Sequence, residues 1–314
     1  MFLRLAFVLS ICCLVSCHDI KHQPETKYEI ELMVLGTAQD AGYPQIACQK
    51  SCCKELNAHQ EKGGKVVSLG LIDRLADMSF IFEATPDCIA QTAALAQRAD
   101  DADQLPDAIF ITHAHIGHYT GLMFLGKEAV DAQGVRLYSL PRFIQFIQKN
   151  GPWNQLVDRN NIQPLSLNVD TMFKLTEHIE IKLMEVPHRD EYSETAAYII
   201  HGPNKSALFI PDIDKWSKWE VDINSLIETV DYAFLDATFY DAVEINNRNI
   251  SEIPHPFIIE SLEKFDTIND QEKAKVYFIH FNHTNPVWDQ NSAAFKNVIA
   301  KGFNIAKEGM VFGL

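Results

Sequence analysis

Short apolar segments recur along the chain and determine its predicted secondary structure. Segments in which apolar residues alternate or run continuously over strand length predict β-strands. These strand segments are 28–36, 78–85, 108–115, 179–187, 195–202, 206–212, 232–238 and 275–281. Segments 88–101 and 142–150 carry apolar residues at helical spacing and predict helices. The Gly-Pro-Asn-Lys turn at 202–205 predicts a hairpin between two of the strands.

Strands interleaved with helices predict a layered α/β fold. No linker-like break interrupts residues 27–314, so we expect one domain over that range. The N-terminus differs in character. Residues 1–16 carry one early basic residue, Arg4, and then an apolar run too short to span a bilayer permanently.

The apolar run ends in Leu-Val-Ser before Cys17, which resembles a bacterial lipobox. We therefore predict a lipoprotein signal peptide over 1–16, lipidation of Cys17, and a polar tether over 17–26. The protein would then lie in the bacterial cell envelope, outside the cytoplasm, and contact a membrane through its lipid anchor alone. An ordinary signal peptide with an unrelated Cys17 is the alternative.

The amino-acid composition limits the kinds of molecule that the protein is expected to bind. The chain has 314 residues, of which 47% are hydrophobic and 22% charged, as in globular proteins with a sizeable core. Its formal net charge of -15 argues against a nucleic-acid partner, because phosphate contacts need clustered Lys and Arg. A small-molecule substrate is the partner that we expect.

Histidines cluster where predicted strands end. The stretch Thr-His-Ala-His-Ile-Gly-His at 112–118 places three histidines within six positions. Further candidate ligands follow later strands: His188, Asp212, His280 and, three residues on, His283. Loops at strand ends gather side chains on a rigid scaffold, and imidazole and carboxylate are ligands of zinc, iron and manganese. The pattern predicts a metal centre in which Asp212 and His283 are the candidate catalytic residues.

At these motifs the sequence resembles the metallo-β-lactamase superfamily, whose pattern is His-x-His-x-Asp-His. Segment 35–44 resembles that superfamily's first strand and loop. Within it, segments 42–48, 150–157, 186–198, 209–216 and 278–286 are similar to the coenzyme PQQ synthesis protein B group. The resemblance implies a four-layer αββα sandwich with metals bound at one edge of its two sheets.

The resemblance also implies a ligand set. It assigns a first metal to His113, His115 and His188, a second metal to His118 and His280, and a bridge between them to Asp212. Zinc is expected, one or two ions per chain, with iron or manganese as alternatives. Gly117 stands where the superfamily has Asp, which predicts a weaker second position unless His283 compensates. On this interpretation Gly117→Asp would raise occupancy of the second position.

Cysteines and loop residues leave several questions open. Cys48, Cys52 and Cys53 resemble the Cys cluster of the PQQ group, which suggests a structural zinc, with His59 as a fourth ligand. In an oxidising compartment they could instead form a disulfide, with Cys88 as another partner. Asp190 and Glu191 are candidates for orienting the ligands, or else a solvated acidic loop. His255 lies in a Pro-rich turn and is interpreted mainly as loop structure.

The predicted function is metal-dependent hydrolysis of an ester, phosphodiester or related bond by a metal-bound hydroxide. The alternatives are an iron-dependent oxidation or hydroxylation in cofactor synthesis, and a non-catalytic metal-binding relative. The fold class alone does not decide among them, because one scaffold hosts many chemistries.

Overall fold

The computed structural model describes residues 27–59, 63–100, 105–246 and 248–314. The predicted signal peptide, the tether and Cys17 lie outside these residues, so those assignments stay predictions. Among the described residues, none of the helices combines the length and the apolar character needed to cross a bilayer.

The first sheet has seven strands in the order β14-β1-β2-β3-β4-β5-β6. Its strands are β1 (Ile30–Gly36), β2 (Ser68–Asp73), β3 (Met78–Phe82), β4 (Ala108–Phe110), β5 (Val135–Ser139), β6 (Ile162–Ser166) and β14 (Val311–Gly313). β1 is antiparallel to β14 and to β2, and β2 is antiparallel to β3. From β3 to β6 the pairing is parallel. The carboxyl ends of β1, β3 and β4 therefore lie at one edge.

The second sheet also has seven strands, in the order β13-β12-β11-β10-β9-β8-β7. They are β7 (Met172–Lys174), β8 (Glu180–Val186), β9 (Thr195–His201), β10 (Ser206–Ile210), β11 (Tyr232–Asp236), β12 (Val276–Ile279) and β13 (Asn304–Ile305). β9 and β10 form the predicted hairpin, closed by a Gly202 N–H that donates to the Lys205 carbonyl at 3.0 Å. β8, β10, β11 and β12 run in one direction.

Helices cover the outer face of each sheet. The described helices are α1 (Ser51–Lys54), α2 (Cys88–Ala99), α3 (Ile116–Tyr119), α4 (Pro141–Lys149), α5 (Trp153–Asp158), α6 (Ile223–Glu228), α7 (Ile258–Lys264), α8 (Asp270–Lys273) and α9 (Ala293–Ala300). Residues from α2 to α5 share a core with the first sheet, and residues of α6, α7 and α9 share one with the second. A third core lies between the sheets. The predicted αββα sandwich is confirmed.

Aromatic side chains fill the space between the sheets. Phe82 and Phe110 of the first sheet stack at 4.8 Å, and Tyr198 of the second sheet meets both rings edge-on. All three side chains are fully buried. Each removes a large apolar surface from water and contributes about 2–3 kcal/mol. This rigid interior fixes the positions from which the edge loops leave.

The predicted strand 108–115 is shorter than expected. It ends at Phe110, so His113 lies in a loop and His115 caps α3. The chain leaves the sheet because the Thr112 carbonyl accepts a hydrogen bond from Ala196 N, at 2.9 Å, in the second sheet. The loop of the three histidines is thus directed across the gap between the sheets.

Candidate metal centre

Three imidazoles and one carboxylate converge at the edge where the two sheets meet. His113 Nε2 lies 2.8 Å from His115 Nδ1, and His188 Nε2 lies 3.3 Å from the same atom. Asp212 Oδ2 is 3.1 Å from His188 Nε2. Ligand atoms of these four residues all lie within 4.8 Å of one another. Nitrogens that face each other so closely, beside a carboxylate, suit a shared cation.

The outward nitrogens of this group have partners of their own. The Thr112 hydroxyl is 2.8 Å from His113 Nδ1, and Glu191 Oε2 is 3.1 Å from His115 Nε2. Such contacts fix the tautomer and orientation of a ligating ring. Glu191 therefore contacts the centre, whereas Asp190 contacts Arg142 through its backbone carbonyl.

A second group shares Asp212 with the first. It consists of Asp40, His118, Asp212 and His280, again with ligand atoms within 4.8 Å. Asp40 Oδ1 is 2.9 Å from His118 Nε2 and 3.4 Å from His280 Nε2. Asp212 Oδ2 is 3.8 Å from His118 Nε2. Asp212 thus lies between two clusters of ring nitrogens, as a bridging carboxylate would.

Buried side chains contact the Nδ1 atoms of the two histidines in the second group. Glu83 Oε1 lies 3.4 Å from His118 Nδ1, and the Thr238 hydroxyl lies 2.9 Å from His280 Nδ1. Glu83 and His280 both have left-handed backbones, with φ of 74° and 69°. Left-handed backbones are costly for residues other than glycine and concentrate at functional sites. With Nδ1 facing Glu83 and Thr238 respectively, the rings of His118 and His280 direct Nε2 toward Asp40.

Asp236 and His255 extend the centre on the far side of Asp212. His255 Nδ1 is 3.1 Å from Asp212 Oδ1 and 2.9 Å from Asp236 Oδ2. All three side chains are buried. Oδ1 of Asp212 thus faces His255, while Oδ2 faces the ligand rings. The interpretation of His255 as simple loop structure is wrong, because this side chain contacts the centre directly.

The electrostatics separate the rings into neutral and charged. Burial and the nearby His118 hold the pKa of His113 well below its usual range, so this ring is neutral. Burial opposes the charge on His118, yet Glu83 and Asp40 raise its pKa well above the usual range. Against the same burial cost, Asp212 and Asp236 raise the pKa of His280 to about 9. A bound cation would reverse these two shifts, since a ligating imidazole is deprotonated.

His283 lies away from this centre. The structure places it with Cys48, Cys52 and Cys53, and ligand atoms of these four lie within 4.8 Å of one another. His283 is therefore positioned to ligate with the cysteines and not to repair the second metal position. The described cysteines are free thiols, and Cys88 lies elsewhere, with its thiol toward the Gly121 carbonyl at 3.4 Å. Three thiols and one imidazole are the donor set of a structural zinc, with His283 where we expected His59.

Comparison with known proteins places the chain in a family. The model described as "Beta-lactamase superfamily domain" matches residues 79–281. The chain belongs to this superfamily. Coenzyme PQQ synthesis protein B of Rhizobium meliloti is 20% identical over 90% of the chain and 97% of its own length. The protein of that name from Acinetobacter baumannii is 23% identical over 90% of the chain and 99% of its length. The resemblance to this group is confirmed.

Solved structures agree on the fold. Zn(2+)-bound PqqB from Methylobacterium extorquens superposes with a TM-score of 0.73 at 19% identity, covering 90% of this chain and 100% of that one. A diphosphatase from the PhnP family gives 0.61 at 19% identity, covering 90% and 96%. At these identities the likeness extends to the fold alone. The ligand groups described above support a metal cofactor in this chain.

Proposed function

We propose that the protein is a metal-dependent hydrolase with two metal positions bridged by Asp212. One observation carries this proposal. Asp212 Oδ2 lies within 4.0 Å of ring nitrogens of four histidines, His113, His115, His118 and His188. A single carboxylate oxygen shared by two clusters of imidazoles suits two ions held about 3.5–4 Å apart. Zinc suits these ligands, with iron or manganese as alternatives.

A metal ion bound there would lower the pKa of its water to about 7 and so supply hydroxide at neutral pH. The chain's own residues fix the geometry around that position. His255 Nδ1 lies 3.1 Å from Asp212 Oδ1, on the side away from Oδ2, while Thr112, Glu83 and Thr238 orient three ligand rings. All five of these side chains are buried, so packing restricts their orientation before an ion or a substrate binds.

The open side of the centre lies at His115, whose side chain is 13% exposed, whereas that of His118 is 0% exposed. Arg189 lies at this opening, with Nη2 3.5 Å from His115 Nε2. An exposed guanidinium beside the ions suits a substrate that carries a carboxylate or phosphate group. With a net charge of -15, a small substrate fits better than a nucleic acid.

A second candidate function is a step in cofactor synthesis, an iron-dependent oxidation or hydroxylation. The observation that favours it is the similarity to coenzyme PQQ synthesis protein B over 90% of the chain. Imidazole and carboxylate ligands accept iron as well as zinc, so the ligand set is compatible with both reactions.

Metal analysis with a substrate screen tests the two candidates. We expect zinc in the purified, untagged protein, and turnover of at least one among model phosphodiesters, lactones, thioesters and β-lactams. Asp212→Asn should abolish that turnover. Bound iron with oxygen consumption, and no turnover of any of these substrates, would support the second candidate instead. A protein that takes up neither metal would overturn both.

We also propose that the chain is lipid-anchored in the cell envelope. The motif before Cys17 supports this, and a Cys17→Ser variant should be released into the soluble fraction on cell breakage. Retention of that variant in the membrane fraction would refute the anchor.

A further inference from the structure

Gly117 and Asp40 lie against each other, although they belong to different loops. A Cβ atom built on Gly117 would lie 2.4 Å from Asp40 Cα, 2.6 Å from its Cβ and 2.9 Å from its Cγ. Carbon atoms in contact are about 3.5–4.0 Å apart, so no side chain fits at position 117 while Asp40 keeps its place. Gly117 is therefore the steric counterpart of Asp40. An Asp side chain built from position 117 would enter the volume that Asp40 occupies.

We propose that Asp40 supplies the carboxylate ligand of the second metal position, in place of the residue at 117. The inference rests on the proposed two-metal centre. Asp40 Oδ1 faces His118 Nε2 at 2.9 Å and His280 Nε2 at 3.4 Å, which are the nitrogens directed at that position. The carboxylate of the second group would thus come from the loop after β1 and not from position 117. The steric contact with Asp40 argues against the expectation that Gly117→Asp raises the occupancy of this position.

The loop that carries Asp40 is held firmly beside His280. The Gln39 N–H donates to the Phe281 carbonyl at 2.8 Å, and the Phe281 N–H donates to the Thr37 carbonyl at 2.8 Å. Just past Asp40, the Gly42 N–H closes a turn onto the Gln39 carbonyl at 2.8 Å. Asp40 is thus fixed by backbone bonds on both sides. A ligand held this way loses little conformational entropy when it binds an ion.

An ion pair alone is the competing explanation for Asp40. Its carboxylate could simply neutralise a protonated His118, with no role toward a metal. The two explanations differ in what Asp40→Asn does to zinc binding. As a metal ligand, the carboxylate is lost and zinc binds more weakly. As an ion-pair partner, only the charge that holds His118 protonated is lost, and zinc binding is not weakened. Returning the carboxylate to position 117 cannot separate them, because Asp40 Cα, which every residue at position 40 keeps, lies 2.4 Å from a Cβ built on Gly117.

The experiment compares the zinc content of wild type, Asp40→Ala, Asp40→Asn and Gly117→Asp. Metal-free proteins are loaded with zinc, freed of excess and counted by elemental analysis, and affinities are measured by chelator competition. Every variant keeps the cysteine cluster, which therefore adds equally to each count. Asp158→Ala, which removes an exposed carboxylate on α5, is the control. Circular dichroism checks that each variant is folded.

We expect Asp40→Ala and Asp40→Asn to hold one zinc fewer than wild type, or to bind it at least about 100-fold more weakly. Asp158→Ala should match wild type, and Gly117→Asp should lose zinc. If Asp40→Ala or Gly117→Asp fails to fold, the isosteric Asp40→Asn decides alone. Wild-type zinc content and affinity in Asp40→Asn would overturn the inference.

The inference and the proposed function fail separately. Wild-type zinc content in Asp40→Asn, together with turnover of a model substrate by wild type, would remove the assigned ligand and leave the hydrolase intact. Loss of one zinc in Asp40→Asn, with no turnover by wild type, would remove the hydrolase and leave the ligand assignment standing.

Discussion

Some residues of the metal centre could be predicted from the sequence, and others could not. The six predicted ligands are found together because each follows a strand, and strand ends meet at one edge of the sandwich. Asp40 follows β1 in the same way, and that position was the signal that could have found it. Asp236 ends β11 and carries the same signal. His255 carries none, since it lies in a loop and reaches Asp212 only through tertiary packing.

The protonation of the second group predicts a pH-dependent metal uptake. The raised pKa values of His118 and His280 keep these rings protonated near pH 7, so a bound ion must displace their protons. Affinity should therefore rise with pH, and the part of this rise that comes from His280 should end above about pH 9, where His280 has lost its proton. Calorimetric titration with Mn²⁺, which thiolates bind weakly, should show more protons released at pH 7 than at pH 9.5 in buffers of different ionisation enthalpy. Equal release at both pH values would contradict these protonation states.

Among secondary-structure elements, periodicity located most strands and the hairpin but misplaced some ends. The strand at 108–115 was predicted too long because apolar residues continue past Phe110, whereas the hydrogen bonding of Thr112 passes to the other sheet. Six of the fourteen strands in the described residues were not predicted, namely β2, β5, β6, β7, β13 and β14, and the last of these and β7 and β13 have at most three residues each. Partner choice between sheets is a tertiary property that a local pattern does not contain.

The cysteine cluster joins two loops that also carry ligands of the centre, and this predicts a structural role. Cys48, Cys52 and Cys53 come from the chain that follows Asp40, and His283 comes from the loop that follows His280. Zinc there would tie both ligand-bearing loops together. Cys53→Ser should therefore carry one zinc fewer and melt at a lower temperature, whereas Cys88→Ser, with its thiol outside the cluster, should keep the wild-type zinc count. An unchanged zinc count in Cys53→Ser, with fewer titratable thiols in wild type than cysteines, would favour a disulfide.

At the scale of the whole molecule, the centre joins the two halves of the sandwich. The first sheet and its loops contribute Asp40 and the three clustered histidines, and the second contributes His188, Asp212 and His280. Each half alone therefore carries an incomplete ligand set. The sequence could predict the ligands but not this division, because strand order within each sheet was unknown before the fold was described.

This division predicts that metal binding stabilises the fold as a whole through Asp212, the residue that both ligand groups share. An ion that binds only the folded chain adds about 2.7 kcal/mol to the free energy of unfolding when present at 100 times its dissociation constant. Mn²⁺ should therefore raise the melting temperature of the metal-free protein in one cooperative transition, while Asp212→Asn should show little or none of this rise. Asp158→Ala, whose carboxylate lies on α5, should respond like wild type. If Asp212→Asn were stabilised as strongly as wild type, the ion would bind elsewhere, and the two halves would be held by packing of the apolar core alone.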